Sequence, residues 1–221
     1  MDFCRNYRSN LKDAILNMPE KRKLIILSFV VGISSGLAAV LLESLVRAIH
    51  NGLTSWFDGS LDNFLYLVYP GIGMLLSLIL LRFVIKDNIG HGVTKVLVAV
   101  SKNDSRIKPH NMWSSILTSS LTIGFGGSVG AEAPIVYTGA AIGSNFARYM
   151  GMSYRNMTIL LGCGAAGAVA GIFKAPLAGV LFTLEILLFN ISMTSMMHIV
   201  STTFSVSSVF GRFPHMPYTD C

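Results

Sequence analysis

An all-α integral membrane protein, built from broken and re-entrant helices of unequal length, is the fold class this sequence predicts. Three observations predict it. The 221 residues are 52% hydrophobic and only 13% charged, about half the charged share of a soluble domain. Four runs, 24–42, 64–81, 156–173 and 186–211, hold no Asp, Glu, Lys or Arg, and about 20 apolar residues cross a bilayer as a helix. Between the runs, glycines and prolines fall too close together for a set of clean full spans. Irregular backbone at membrane depth survives only where protein or an aqueous cavity satisfies it. That is the layout of a transporter whose half-helices point at a midplane site.

Each element has its own justification. In residues 1–21, Phe3, Tyr7, Leu11, Ile15 and Met18 recur at roughly helical spacing between basic residues. This pattern predicts a surface helix on the cytoplasmic side, the alternative being a disordered basic leader. The first span is expected over 23–50, with Glu43 and Arg47 at i and i+4, where they can pair. A polar link, 51–63, leads to a second span over 64–86 with Pro70-Gly71 near its start. Shorter pieces follow at 91–102, 111–127, 132–150, 155–172, 176–190 and 193–211. Eight transmembrane or re-entrant helices are therefore expected in a domain of residues 22–212, with a polar end at 213–221.

The net charge of +6 does not point to nucleic acid. Arg5, Arg8, Lys12, Lys21, Arg22 and Lys23 all precede the first span, as the positive-inside rule expects of a cytoplasmic N-terminus in a multi-pass protein of the cell membrane. The polar lead-in and the apolar run are both too long for a cleaved signal peptide. Cys4, Cys163 and Cys221 lack metal-ligand or disulfide-framework spacing.

The most informative stretch is 128–148. Glu132 is the single charged residue between Asn111 and Ala147. Gly130 precedes it and Pro134 follows, the order of a loop opening into a helix, because proline is tolerated in the first helical turn. The spacing of Gly139 and Gly143 suits close helix packing in lipid. A helix N-terminus at membrane depth attracts an anion, and a carboxylate placed there competes for the same position. Gly90-His91-Gly92-Val93-Thr94 and Phe173-Lys174-Ala175-Pro176 are two more loop–helix junctions of this kind. Only backbone donors are needed, so the side chains at such a site can be small. Gly162-Cys163-Gly164-Ala165-Ala166-Gly167 fits a dinucleotide-binding glycine pattern. Its flanks are long apolar runs with no strand–helix alternation, so helix packing explains it better.

These junctions resemble the CLC family of chloride channels and proton/chloride antiporters. Gly130–Pro134 is similar to the family's G-[KR]-E-G-P signature. The likeness continues through Ala165-Ala166-Gly167 and from Ala175 to Glu185. Gly90-His91-Gly92-Val93 looks like a variant of G-S-G-I-P. Order and spacing agree over roughly 22–212.

The resemblance implies a fold of two inverted helical repeats, of which this sequence holds the first. Movement of chloride or a similar small anion across the membrane is the function implied, by a channel or an antiporter, with no covalent chemistry. Glu132 would be the gate. Gly90, His91, Gly92, Val93, Gly130, Ala131 and Ala133 would surround the anion. No cofactor or metal is implied. A homodimer is expected for the complete protein, through helices in 176–211.

Departures from the pattern are visible. Ala131 and Ala133 replace a basic residue and a glycine beside the gate. His91 stands where the family often has an anion-coordinating serine. It either donates an N–H to the ion or turns aside and leaves binding to the backbone. The family's antiporters often carry a proton-transferring glutamate directly after the acid matching Glu185, and here that position is Ile186. Glu185 is then either a structural acid or a substitute proton carrier. Lys174 reads as an interfacial lysine. Without a second set of spans the sequence reads as an N-terminal half, truncated or split. A second hypothesis is a non-transporting membrane fragment that assembles with a partner half or a full-length subunit.

Overall fold

A computed structural model describes residues 20–54, 62–85, 92–102, 104–187 and 193–210. Among them are eight α-helices: α1 (Glu20–Thr54), α2 (Asp62–Leu80), α3 (Gly92–Lys102), α4 (Asn111–Gly124), α5 (Glu132–Tyr149), α6 (Tyr154–Phe173), α7 (Pro176–Leu187) and α8 (Met193–Phe210). The expected surface helix over 1–21 and the polar end at 213–221 lie outside the described residues, apart from the first turn of α1.

Length separates these helices into two kinds. α1 has 35 residues and so extends about 50 Å, more than the bilayer core. The stretches Arg22–Leu53 and Tyr154–Phe173 are each long and apolar enough to cross a membrane. α3 and α7, with 11 and 12 residues, reach only about 17 Å and cannot cross it. α1 continues past His50 through Asn51 and Gly52, which the sequence assigns to a link. Pro70 lies inside α2, and a π-helical turn, Leu81–Ile85, follows that helix.

α6 is the central element and packs against α1, α5, α7 and α8. Leu160, Leu161, Cys163, Ala166, Ala168 and Ala170 are fully enclosed, as befits a helix that is apolar all round. Small residues let the backbones meet. A Cβ on Gly164 would overlap the Gly139 carbonyl oxygen of α5, and one on Gly143 would overlap that of Leu160. Gly167 faces Ser35 and Gly32 of α1. Gly164 and Gly167, from the run that mimics a nucleotide motif, therefore serve helix packing.

Several buried hydroxyls turn back on their own helices, which satisfies them in an apolar setting. Ser28 donates to the Leu24 carbonyl at 2.7 Å, Thr118 to Ser114 at 2.8 Å and Thr202 to His198 at 2.7 Å. Thr202 also reaches the Ser28 carbonyl across the α1–α8 seam at 3.3 Å. Outward faces are apolar instead. Ile25, Phe29 and Leu37 on α1, Leu75 and Leu78 on α2 and Phe83 in the π-helical turn are exposed, a surface suited to acyl chains.

Candidate functional site

The site is built where α3 and α5 begin. α4 ends at Gly124, and a loop turns the chain back. Gly126 adopts a left-handed φ of +84° that a side chain would strain. Its N–H donates to the Ile123 carbonyl at 2.9 Å, and that of Gly127 donates to Thr122 at 2.9 Å. Val129 donates to Gly127 at 2.8 Å. These bonds satisfy the loop internally and deliver Gly130 and Ala131 to the start of α5. Ala131 is already helical (φ −72°, ψ −10°), and no side chain caps this N-terminus. The first N–H groups of α5 therefore have no side-chain acceptor, which is the donor set an anion needs.

The N-terminus of α3 meets this turn directly. A Cβ on Gly92 would overlap the Ala133 carbonyl oxygen and come within 3.2 Å of the Tyr137 Cβ. Two helix N-termini thus stand in backbone contact, and the positive ends of both dipoles lie together. Gly92 is the residue that permits it. Glu132, at the first position of α5, is exposed. Among the described residues its carboxylate makes no ion pair or hydrogen bond. Ala131 and Ala133 are half-buried, and Gly130 has open space where a side chain would project.

Several residues hold these two ends in place, and sequence reasoning missed them. Ser115 of α4 donates to the Pro134 carbonyl at 3.3 Å. Asn111 Nδ2 donates to the Tyr137 hydroxyl at 2.7 Å, and the Lys95 ammonium lies 5.9 Å from the centre of the Tyr137 ring. At the other end of α3, the chain turns at Asp104 and Ser105, both at positive φ. The Ile107 N–H donates to Ser144 Oγ at 3.1 Å, Ser105 shares a hydrogen bond with Thr158 at 2.8 Å, and Tyr154 donates to the Val100 carbonyl at 2.9 Å. α3 is thereby pinned to α5 and α6. Partners 37 to 54 positions apart in the chain give no local signal of this.

The remaining candidates are distributed differently. Gly90 and His91 lie outside the described residues. Val93 stands beside Gly92 in the first turn of α3. Lys174 closes α6 in the left-handed conformation (φ 52°), and Pro176 opens α7, where Gly179 meets the Ala166 carbonyl. Glu185 is exposed near the other end of α7. Glu43 and Arg47 form the expected i,i+4 pair at 2.6 Å on α1.

Comparison with known proteins gives one family. Residues 72–218 match the family described as "Voltage gated chloride channel". The H(+)/Cl(-) exchange transporter ClcA of Vibrio cholerae is 28% identical over 191 residues, covering 79% of this chain and 39% of that protein. Chloride channel protein CLC-c of Arabidopsis thaliana is 28% identical over 206 residues, covering 83% of this chain and 26% of that protein. The structure of a slow cyanobacterial Cl−/H+ antiporter superposes with a TM-score of 0.72 at 19% identity, over 88% of this chain and 47% of the other. A CLC-type fluoride/proton antiporter superposes at 0.70 and 22% identity, over 86% and 46%. The chain spans less than half the length of each of these proteins.

Proposed function

This chain belongs to the voltage-gated chloride channel family, a family of membrane channels and transporters, and from that premise we propose that it forms part of a chloride or small-anion pathway gated by Glu132. The observation that carries the proposal is the contact of Gly92 with Ala133, which brings the start of α3 against the uncapped start of α5, beside the one carboxylate of the segment. The anion sits against the N–H groups around Gly92, Val93, Ala131 and Ala133, with Gly130 leaving room for approach. The Glu132 carboxylate is itself an anion at a helix N-terminus, so it occupies the position the transported ion needs. Protonation of Glu132, or displacement by the ion, opens the path.

Glu132→Gln tests this. In proteoliposomes of the purified protein, wild-type chloride flux should depend on pH and the variant should lose most of that dependence. An unchanged pH profile would remove Glu132 from the gate.

Coupling to protons is proposed to be weak or absent. Ile186 has no proton to carry where the family's antiporters often place a glutamate, and Glu185 is exposed at the end of α7. A chloride gradient should drive little uphill proton movement, and a fixed proton countermovement would assign the carrier role to Glu185.

Orientation follows from charge. Leu24 and Leu27 of α1 cluster with Ala147 of α5 and Met157 of α6, and Met112 packs against them. Arg22, Lys23, Lys108, Arg148 and Arg155 therefore gather at one end of the bundle, the end proposed to face the cytoplasm. Leu177 and Leu181 on α7 and Met197 and Phe204 on α8 expose apolar surface where a homodimer would form.

A further inference from the structure

We propose that the loop of residues 104–110, with the end of α5 and the start of α6 beside it, docks the phosphate of an acidic phospholipid headgroup. The site is separate from Glu132 and does not depend on the gate. Residues 102–110 and 148–155 hold three Arg and two Lys against one acid, Asp104. Arg106, Arg148 and Arg155 are all exposed. Among the described residues none of these three is in an ion pair.

Hydrogen bonds bring the three arginines to one patch. Ser105 bonds to Thr158 of α6, and its carbonyl accepts from Ser144 of α5. Arg148 is four residues after Ser144, and Arg155 is three before Thr158. Each therefore lies one turn farther out on the helix face that grips the loop. Within the loop, Ser105 and Ile107 are buried while Arg106, between them, is exposed. Guanidinium forks match phosphate oxygens better than any other side chain. α6 also starts here, and Ser153 does not cap it with its side chain, which leaves N–H groups for an anion.

Depth points to lipid as the source of the phosphate. Ala147, next to Arg148, and Met157, two after Arg155, cluster with Leu24 of α1. At that level α1 passes from Arg22 and Lys23 to the exposed Ile25 and Ile26, as at a boundary between headgroups and acyl chains. Tyr149 and Tyr154 are exposed beside the arginines. Trp113 is exposed too, and its neighbour Met112 packs against the Leu24 cluster. Exposed Trp and Tyr at one level mark a membrane interface. Orientation alone would need charge near the helix ends, not a loop fixed by three hydrogen bonds to α5 and α6.

The test uses the purified chain in neutral detergent with equal amounts of phosphatidylglycerol and phosphatidylcholine. Native mass spectrometry counts the lipid retained. Wild type should retain phosphatidylglycerol about tenfold over phosphatidylcholine. Arg106→Gln, Arg148→Gln and Arg155→Gln should each lower that preference about threefold, and the triple variant should abolish it. Lys174→Gln, at the opposite end of α6, removes the same charge elsewhere and should keep the preference. Melting temperature is recorded for each, and if the triple variant folds poorly the single variants decide. Equal retention of the two lipids by wild type would overturn the site. So would undiminished preference in the arginine variants, or an equal loss in Lys174→Gln. Displacement of phosphatidylglycerol by inorganic phosphate at the same concentration would overturn the lipid assignment in favour of a soluble anion.

Discussion

The seam between α5 and α6 and the seam between α3 and α5 are each closed by a glycine that meets a backbone carbonyl, yet their surroundings differ. Around Gly139 and Gly164 the neighbours are alanines, valines and leucines, almost all fully enclosed. Two helices of 18 and 20 residues run together there. Around Gly92 and Ala133 two helices only begin. One is 11 residues long, and the nearby carboxylate is exposed. The first seam holds the fold together through dispersion and close approach. The second holds charge and, at the start of α5, N–H donors without a side-chain cap, features that a stable core avoids. Three glycine-to-alanine substitutions separate the two kinds of seam.

Gly164→Ala should have the largest effect. The added Cβ would overlap the Gly139 carbonyl oxygen and lie 2.9 Å from its carbon and 3.3 Å from the Gly143 nitrogen. All three are backbone atoms in the middle of a helix, so no side chain can rotate away. α5 and α6 must separate, at a cost of about 3 kcal/mol. Thermal unfolding in detergent should show a large loss of stability or of folded yield. A variant as stable as wild type would mean that α6 is not the rigid centre described.

Gly92→Ala should cost less stability and more binding. Its Cβ also meets backbone, at the Ala133 carbonyl. α3 is short, however, and can move as a unit. A shift of α3 relieves the clash at a net cost of about 1 kcal/mol. That same shift parts the two N-termini, so chloride affinity should fall by about tenfold. Calorimetry alongside a melting curve checks both halves. Loss of stability without loss of affinity would move the anion away from this seam.

The helices were readable from the sequence because their signals are local. Pro134 and Pro176 mark helix starts, uncharged runs mark interiors, and the 3.6-residue period needs no partner. The pairing of helices was less readable. Gly139 with Gly143 announced close packing but not that Gly164 would be the partner, since helix packing joins residues far apart in the chain. At the site, Glu132 stood out because nothing else near it is charged. Lys95 did not, because one lysine in a short amphipathic helix looks like a solvated residue until α5 is placed beside it. Ser144, Ser105 and Asn111 were silent for the same reason. α1 runs past His50 because Asn51 and Gly52 weaken a helix without ending it.

Gly130→Ala should have the smallest effect and bears on where the second region ends. Gly130 lies two residues before Glu132 in the recognisable motif, which tempts one to give it a structural duty. The fold supplies none. Among the described residues, no atom beyond its chain neighbours lies within 4 Å of where its Cβ would stand, and its φ is outside the left-handed range. Alanine should therefore change stability by less than about 0.5 kcal/mol. The N–H donors of α5 stay where Ala131 and Pro134 fix them, so chloride affinity should hold within about twofold. An affinity loss near that of Gly92→Ala, at an unchanged melting temperature, would show that the open space beside Gly130 is where the ion passes. The functional region would then extend back through the loop to Gly127, and the backbone of residues 127–130 would join the two helix starts in holding the anion.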